Sequence, residues 1–219
     1  SFGFGFLEVG TVTPKAQKGN KKPRVFRFKN DKAIINQLGF NNKGSEIVKK
    51  NLIKIRNLYF NNKIIGVNIG KNSDTINPVN DYLKGLEDLT NFSSYITINI
   101  SSPNTKDLRK LQLRENIENL IKKINKKKLE FESINKKPIL IKISPDLDDN
   151  QLRDIALVSL ANNIDGLILT NTTVKRPYSL KFNTQIKKGG LSGKPLYELS
   201  NISLKKMYSF TNGQIPLIG

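Results

Sequence analysis

The 219-residue sequence contains no cysteine, no histidine, no tryptophan and a single methionine. Without cysteine there is no disulfide, no thiolate nucleophile and no cysteine-based zinc or iron–sulfur site. Without histidine there is no Ser-His-Asp triad and no imidazole metal ligand. Acid–base chemistry is left to Ser, Thr, Tyr, Lys, Asp and Glu. No apolar run approaches the roughly 20 residues that span a bilayer, and the first residues do not read as a signal peptide. Acidic residues are scarce too: 18 Asp+Glu against 37 Lys+Arg give a formal net charge of +19. Such an excess admits an anionic partner, either a nucleic acid or a membrane surface. Yet the basic residues are spread along the chain, and Lys, Asn and Ile are abundant throughout, so compositional drift accounts for the charge better. The densest run, Lys122 to Lys128, falls late in a predicted helix and reads as a solvated face.

What is present is alternation of short β-branched runs with helical patterns. Phe6–Gly10, Ile64–Ile69, Tyr95–Ile100, Ile139–Ile143, Ile164–Leu169 and Ile215–Ile218 read as strands. Most are continuous apolar runs, as expected of parallel strands covered on both faces. Arg24–Phe28 alternates and predicts a small hairpin after the basic loop Lys15–Arg24. Helical stripes fall between the runs: Val48, Leu52 and Ile55; Val79, Tyr82, Leu83 and Leu86; Ile117, Leu120, Ile121 and Ile124; Leu152, Ile155, Ala156 and Leu160; Leu196, Leu199 and Ile202. Asp148 or Asp149 suits the fourth as N-cap, and Asn212-Gly213 stops the fifth. Strand–helix alternation implies a parallel sheet with right-handed crossovers. An open doubly wound sheet and a (β/α)₈ barrel both fit that pattern. Roughly six barrel-type strands are too few for closure, and the chain stops on an interior-type strand whose edge would be exposed. The expectation is an incomplete (β/α)₈ TIM barrel, about six of eight βα units, forming one domain over 1–219 and lacking about one unit at each end.

In such a barrel the chemistry sits at the C-terminal ends of the strands. Those ends are rich in amides and hydroxyls: Gly10-Thr11-Val12-Thr13-Pro14, Asn68-Ile69-Gly70-Lys71-Asn72, Asn99-Ile100-Ser101-Ser102-Pro103-Asn104, Lys142-Ile143-Ser144-Pro145-Asp146 and Thr170-Asn171-Thr172-Thr173. The segment Ile34–Asn42, read as helical, is Asn-rich as well. A single Asn at a strand end is usually a turn cap. A ring of amides, each both donor and acceptor, suits a neutral or weakly anionic heterocycle such as a pyrimidine or the edge of a flavin. Sparse carboxylates argue against a Mg²⁺ site or a glycosidase pair. Lys142 either stabilises negative charge on a reduced flavin or simply snorkels from the barrel mouth.

Six blocks in order carry a resemblance over nearly the whole chain: Glu8–Pro14, Asn36–Asn42, Gly66–Asn72, Asn99–Thr105, Asp165–Thr173 and Gly189–Leu196. The Asn-x-Ser-Ser-Pro-Asn and Gly-Gly-Leu-Ser-Gly blocks are the specific ones. Together they resemble dihydroorotate dehydrogenase, nearest to the class 2, quinone-reducing, membrane-associated type. The resemblance implies a (β/α)₈ barrel with FMN at its mouth that oxidises dihydroorotate to orotate in pyrimidine synthesis and passes electrons to a quinone. It implies that Ser102 is the general base removing the C5 proton while the C6 hydride goes to flavin N5; class 1 enzymes use Cys there. A neutral serine needs a water or Thr relay and a closed apolar site to act so. It further implies FMN contacts at Thr11, Asn68, Asn99, Lys142, Thr170 and Gly193. Substrate contacts would come from Asn36, Gln37, Leu38, Gly39, Phe40, Asn99, Asn104, Asn171 and Thr172.

The family's first barrel strand, its glycine-rich phosphate-binding segment and its N-terminal membrane-docking, quinone-tunnel region have no counterpart in these residues. Weak or no FMN binding by this stretch alone, with an active full-length parent, is the expectation. No metal and no nucleic-acid partner are expected. The implied location is the peripheral membrane surface, on the cytoplasmic face of a bacterial inner membrane or at the mitochondrial inner membrane. Two other readings stand beside this one. A tRNA dihydrouridine synthase would use the positive charge but relies on a Cys acid that is absent. A non-catalytic basic barrel remnant would bind RNA or acidic lipid.

Overall fold

The β-branched runs and helical stripes become, in chain order, β1 (Phe6–Val12), β2 (Val25–Phe28), β3 (Ala33–Asn36), α1 (Ser45–Tyr59), β4 (Ile64–Ile69), α2 (Pro78–Leu89), β5 (Tyr95–Asn99), α3 (Arg114–Glu130), β6 (Ile139–Ile143), α4 (Asp149–Ala161), β7 (Gly166–Leu169), β8 (Gly190–Gly193), α5 (Lys194–Phe210) and β9 (Leu217–Ile218). This computed structural model describes residues 3–59, 63–131, 134, 136–176 and 188–219. Six strands form one sheet in the order β1-β4-β5-β6-β7-β9, and every neighbouring pair is parallel. Within this sheet a helix precedes each strand from β4 onward. This is the incomplete barrel that the alternation predicts.

Side chains in a strand alternate between faces. Val67, Ile69, Ile96, Ile98, Ile139, Ile141, Ile143, Leu167 and Leu169 therefore pack on the helices. There they join Leu52, Tyr82, Leu86, Leu120, Ile121, Leu152 and Ile155 in one buried cluster. Each such side chain contributes about 1.5–3 kcal/mol by leaving water. On the opposite face Tyr95, Leu140 and Ile168 form a smaller cluster. Later positions on that face are polar, because Asn68 pairs with Thr97 and Asn99 with Lys142 across the strands. The runs are thus apolar on both faces only in their first halves.

The helix ends follow their capping residues. The Asp148 carboxylate accepts from Gln151 N at 2.9 Å, and the Gln151 side chain accepts from Asp148 N at 3.0 Å, a reciprocal capping box that starts α4. Asn77 accepts from Val79 N ahead of Pro78 and starts α2. Beyond α5, Gly213 adopts a left-handed φ of 68° and its N–H donates to Tyr208 O.

Four expectations need correction. Ile34–Asn42 is not helical. Ala33–Asn36 is a strand whose Ala33 and Ile35 are buried and whose Ile34 is exposed. Helix cannot continue through Gly39 and Phe40, which both have positive φ. The strand forms an antiparallel sheet with β2 and with β8. The hairpin was legible, but β8 was not, because Gly-Leu-Ser-Gly offers one apolar residue and no period. On α5 the buried positions are Ser203 and Met207, with Leu204 and Phe210 packed against the core, while Ile202 is 50% exposed. Packing on α4 selects that face rather than the Leu196–Ile202 stripe. Finally, Lys127 and Lys128 are not solvated. Their side chains are 16% and 15% exposed and pair with Glu87 and Asp165.

Candidate active site

Parallel strands deliver all their C-terminal ends to one rim. A cavity of about 350 Å³ opens at this rim, lined by Glu8, Gly10, Thr11, Asn36, Leu38, Gly39, Phe40, Asn41, Asn68, Asn99, Ser102, Asn104, Lys142, Asn171 and Thr172. Glu8 and Lys142 are the ionisable groups in that lining; the rest is amide, hydroxyl, glycine and apolar. Lys142 reaches the rim because it follows Leu140 on the inner face of β6. Among the described residues its ammonium makes no hydrogen bond or ion pair.

The amides are tied into a directed chain. Asn68 Nδ2 donates to Glu8 Oε1 at 2.9 Å, Thr11 Oγ1 donates to Asn68 Oδ1 at 2.7 Å, and Asn99 Nδ2 donates to Thr11 Oγ1 at 3.0 Å. Asn99 Oδ1 then accepts from Asn171 Nδ2 at 3.3 Å and from Ser101 N and Oγ at 3.2 Å. Thr97 Oγ1 donates to the other Glu8 oxygen at 2.7 Å. Below this chain the Tyr82 hydroxyl donates to Asn99 O at 2.8 Å from a fully buried position. Burial, reinforced by the nearby Asp81 carboxylate, pushes that phenol well above its ordinary value. Tyr95, whose ring lies where a Gly66 side chain would be, is pushed up as well by burial and by the charge on Glu8.

Ser102 is 6% exposed, and its Oγ accepts from Asn104 N at 3.2 Å. Asn104 Nδ2 in turn donates to Asn36 O at 3.0 Å and to Asn36 Oδ1 at 2.9 Å, which fastens the Ser102 loop to β3. Among the described residues the buried Thr105 Oγ1 has no hydrogen-bond partner. It shares with Ser102 a second cavity, of about 330 Å³, along residues 102–110. Among the described residues there is no group of three or more acidic side chains that could hold a metal ion.

Most residues singled out from the sequence meet at this one rim, but three do not line the cavity. Gln37 faces a neighbouring cavity with Asn20 and Lys188 and donates to Lys188 O at 3.0 Å. Thr170 Oγ1 donates to Asn171 O at 2.9 Å. Gly193 ends β8, opposite Ala33 and against Lys32 O. Glu8, Gly10 and Asn41 line the cavity without having been singled out. The sequence marks Glu8 only as the one charged residue of the Phe6–Gly10 run. Gly10 is required because a Cβ there would lie 2.5 Å from Asn68 O on a φ of +147°.

The family model described as dihydroorotate dehydrogenase matches residues 1–219. The chain is 47% identical over 221 residues to a dihydroorotate dehydrogenase (quinone) of Wigglesworthia glossinidia brevipalpis, covering 99% of this chain and 65% of that protein. It is 46% identical over 219 residues to the Agrobacterium fabrum protein of the same name, covering 99% and 59%. Against the mouse mitochondrial protein it is 42% identical over 221 residues, covering 99% and 56%. The crystal structure of a ligand-free dihydroorotate dehydrogenase from Eimeria tenella superposes with a TM-score of 0.92 at 42% identity, covering 99% of this chain and 65% of that one. The chain thus spans between half and two thirds of the length of the relatives it matches. Matched from end to end in sequence and superposed over nearly its whole length, the chain belongs to the dihydroorotate dehydrogenase family of oxidoreductases, and its curled parallel sheet is an incomplete TIM barrel.

Proposed function

We propose that the protein containing this chain oxidises (S)-dihydroorotate to orotate with FMN and passes the electrons to a quinone. The observation that carries this reading is the meeting of Ser102, Lys142 and Asn171 on one cavity at the strand ends. The donor set supports it. Neutral amides of both polarities and one ammonium suit a flat nitrogen heterocycle and suit a metal or a phosphoryl group poorly.

Thr11, Asn68, Asn99 and Lys142 would hold the ring system of FMN; Thr170 and Gly193 are assigned to it by resemblance. When bound, the flavin supplies a hydride acceptor for substrate C6 and relays the electrons to the quinone. The Lys142 ammonium offsets negative charge that grows at the cavity during that transfer. Asn36, Asn99, Asn104, Asn171 and Thr172, with Leu38–Phe40, would orient the pyrimidine and its carboxylate; Gln37, which faces the neighbouring cavity, is assigned to that set by resemblance. Ser102 Oγ takes the proton from C5. A neutral hydroxyl can do this only by releasing its own proton onward. The N–H of Asn104 stabilises charge on Oγ, and the cavity shared with the unpartnered Thr105 hydroxyl has room for a relaying water.

Relatives carry quinone in their names, and the mouse one is named mitochondrial; because quinones partition into bilayers, we assign this protein a peripheral membrane location. No described helix is long and apolar enough to cross a bilayer. Residues 1–219 are assigned to one FMN-binding domain. Anaerobic mixing of the full-length holoenzyme with dihydroorotate tests the reading: the yellow flavin absorbance should bleach and return on adding a quinone. Flavin that stays oxidised would overturn it.

A further inference from the structure

Three strand-end loops meet on one guanidinium. Arg109 lies in the 3-10 turn Leu108–Gln112 that follows the Ser102 loop. Its Nε donates to Ser101 O at 3.0 Å, its Nη1 to Asp146 Oδ2 at 2.7 Å and its Nη2 to Thr172 O at 3.0 Å. One planar group thereby touches the loops after β5, β6 and β7. The side chains of Arg109 and Asp146 are 24% and 11% exposed, so the pair is largely shielded from screening. Asp146 is satisfied further: it accepts from Thr173 Oγ1 and, at 2.9 Å, from Val174 N. The turn is itself anchored, because Gln112 Oε1 accepts from Ser144 N at 2.8 Å. A shielded pair with this many additional bonds sets one geometry; removing either partner strands the other.

We propose that Arg109 and Asp146 are positioning residues that lock the loop carrying Ser102 against the Asn171–Thr172 segment, so that base and substrate amides keep one fixed spacing. This rests on the function proposed above. Neither side chain lines the main cavity, and neither touches the reacting atoms. The carbonyl contacts of Arg109 fall on Ser101 and Thr172, the immediate neighbours of Ser102 and Asn171. A lysine in place of Arg109 would keep the charge but has no fork, and cannot bond two carbonyls and a carboxylate in these directions at once.

The test uses the full-length holoenzyme carrying Arg109→Lys, Asp146→Asn or both. The rate constant for flavin bleaching at saturating dihydroorotate should fall about 100-fold in R109K, the scale of an ångström-sized misplacement of a reacting group. Reoxidation by quinone and the flavin spectrum should be unchanged. The double variant should be little worse than either single one, since the two act as a unit. Amide hydrogen exchange should quicken together in residues 100–106 and 171–175, with circular dichroism preserved. A bleaching rate within about threefold of the parent, a loss confined to KM, or quickened exchange in one segment alone would overturn the proposal. Should R109K fail to fold, Thr173→Val removes one donor to Asp146 and leaves Arg109 in place; its expected loss is about fivefold, one hydrogen bond's worth. Unchanged bleaching in that variant would equally overturn the proposal. If the parent enzyme itself shows no bleaching, the proposed function fails, and joint or separate exchange of the two segments still decides the clamp.

Discussion

The Glu8 carboxylate accepts a hydrogen bond from the Asn68 amide at 2.9 Å, and this single contact orients the amides around the rim. An ionised carboxylate can only accept. Asn68 must turn its nitrogen to Glu8 and its oxygen to Thr11. The Thr11 hydroxyl then donates to Asn68 and accepts from Asn99, which leaves Asn99 Oδ1 to receive Asn171 and Ser101.

Glu8→Leu should therefore weaken FMN binding about tenfold or more, because the lost contacts leave Asn68 and Thr97 without their acceptor. Glu8→Gln, which can still accept from Asn68 and can donate to Thr97, should stay within about threefold. Fluorescence titration of the apoprotein with FMN measures both. Equal losses in the two variants would show that charge, not polarity of the chain, matters.

Ser102→Ala should slow flavin bleaching by dihydroorotate by about 10²–10⁴-fold, the range of a general base, and leave bound flavin and its reoxidation intact. Anaerobic stopped-flow absorbance reads the two half-reactions separately. A rate near that of the parent enzyme would assign the proton to another group.

Lys142→Met removes the cation from the rim without removing its stem. The reduced flavin loses stabilisation, so the midpoint potential should fall, by about 30 mV if the ammonium contributes about 1.4 kcal/mol to the two-electron couple. Spectroelectrochemical titration checks the sign; an unchanged or higher potential would place the ammonium away from the flavin.

The pH dependence of stability follows from Tyr82. Its phenol is raised in the folded state by burial, so the folded chain holds the proton more tightly than the unfolded one. That contribution is intact below about pH 10, the ordinary phenol value, and erodes as pH rises above it. Tyr82→Phe should cost about 1 kcal/mol at neutral pH, through the lost bond to Asn99 O, and should flatten the alkaline decline. Urea unfolding at pH 8 and at a pH above 10 provides the comparison; an equally steep decline in both proteins would assign it to Tyr95, also raised, or to lysines.

The β-branched runs, a cap at Asp148 or Asp149 and the amide-rich strand ends already specified alternating strands and helices and marked the chemical rim. These are local properties: a period of two or of 3.6, a cap, a stop. Tertiary structure decided what period cannot carry. Which face of α5 is buried depends on α4. Whether Ile34 to Asn42 is strand or helix depends on β2 and β8 as partners. Lys127 and Lys128 leave solvent because Glu87 and Asp165 come from other elements to meet them. At the site, residue types named the candidates, whereas the direction of each hydrogen bond came from folding. Glu8 and Asn68 lie 60 positions apart in the chain and Arg109 and Thr172 lie 63 apart. Only the pairing of distant strands into one sheet supplies an acceptor to one amide and three carbonyl or carboxylate oxygens to one guanidinium.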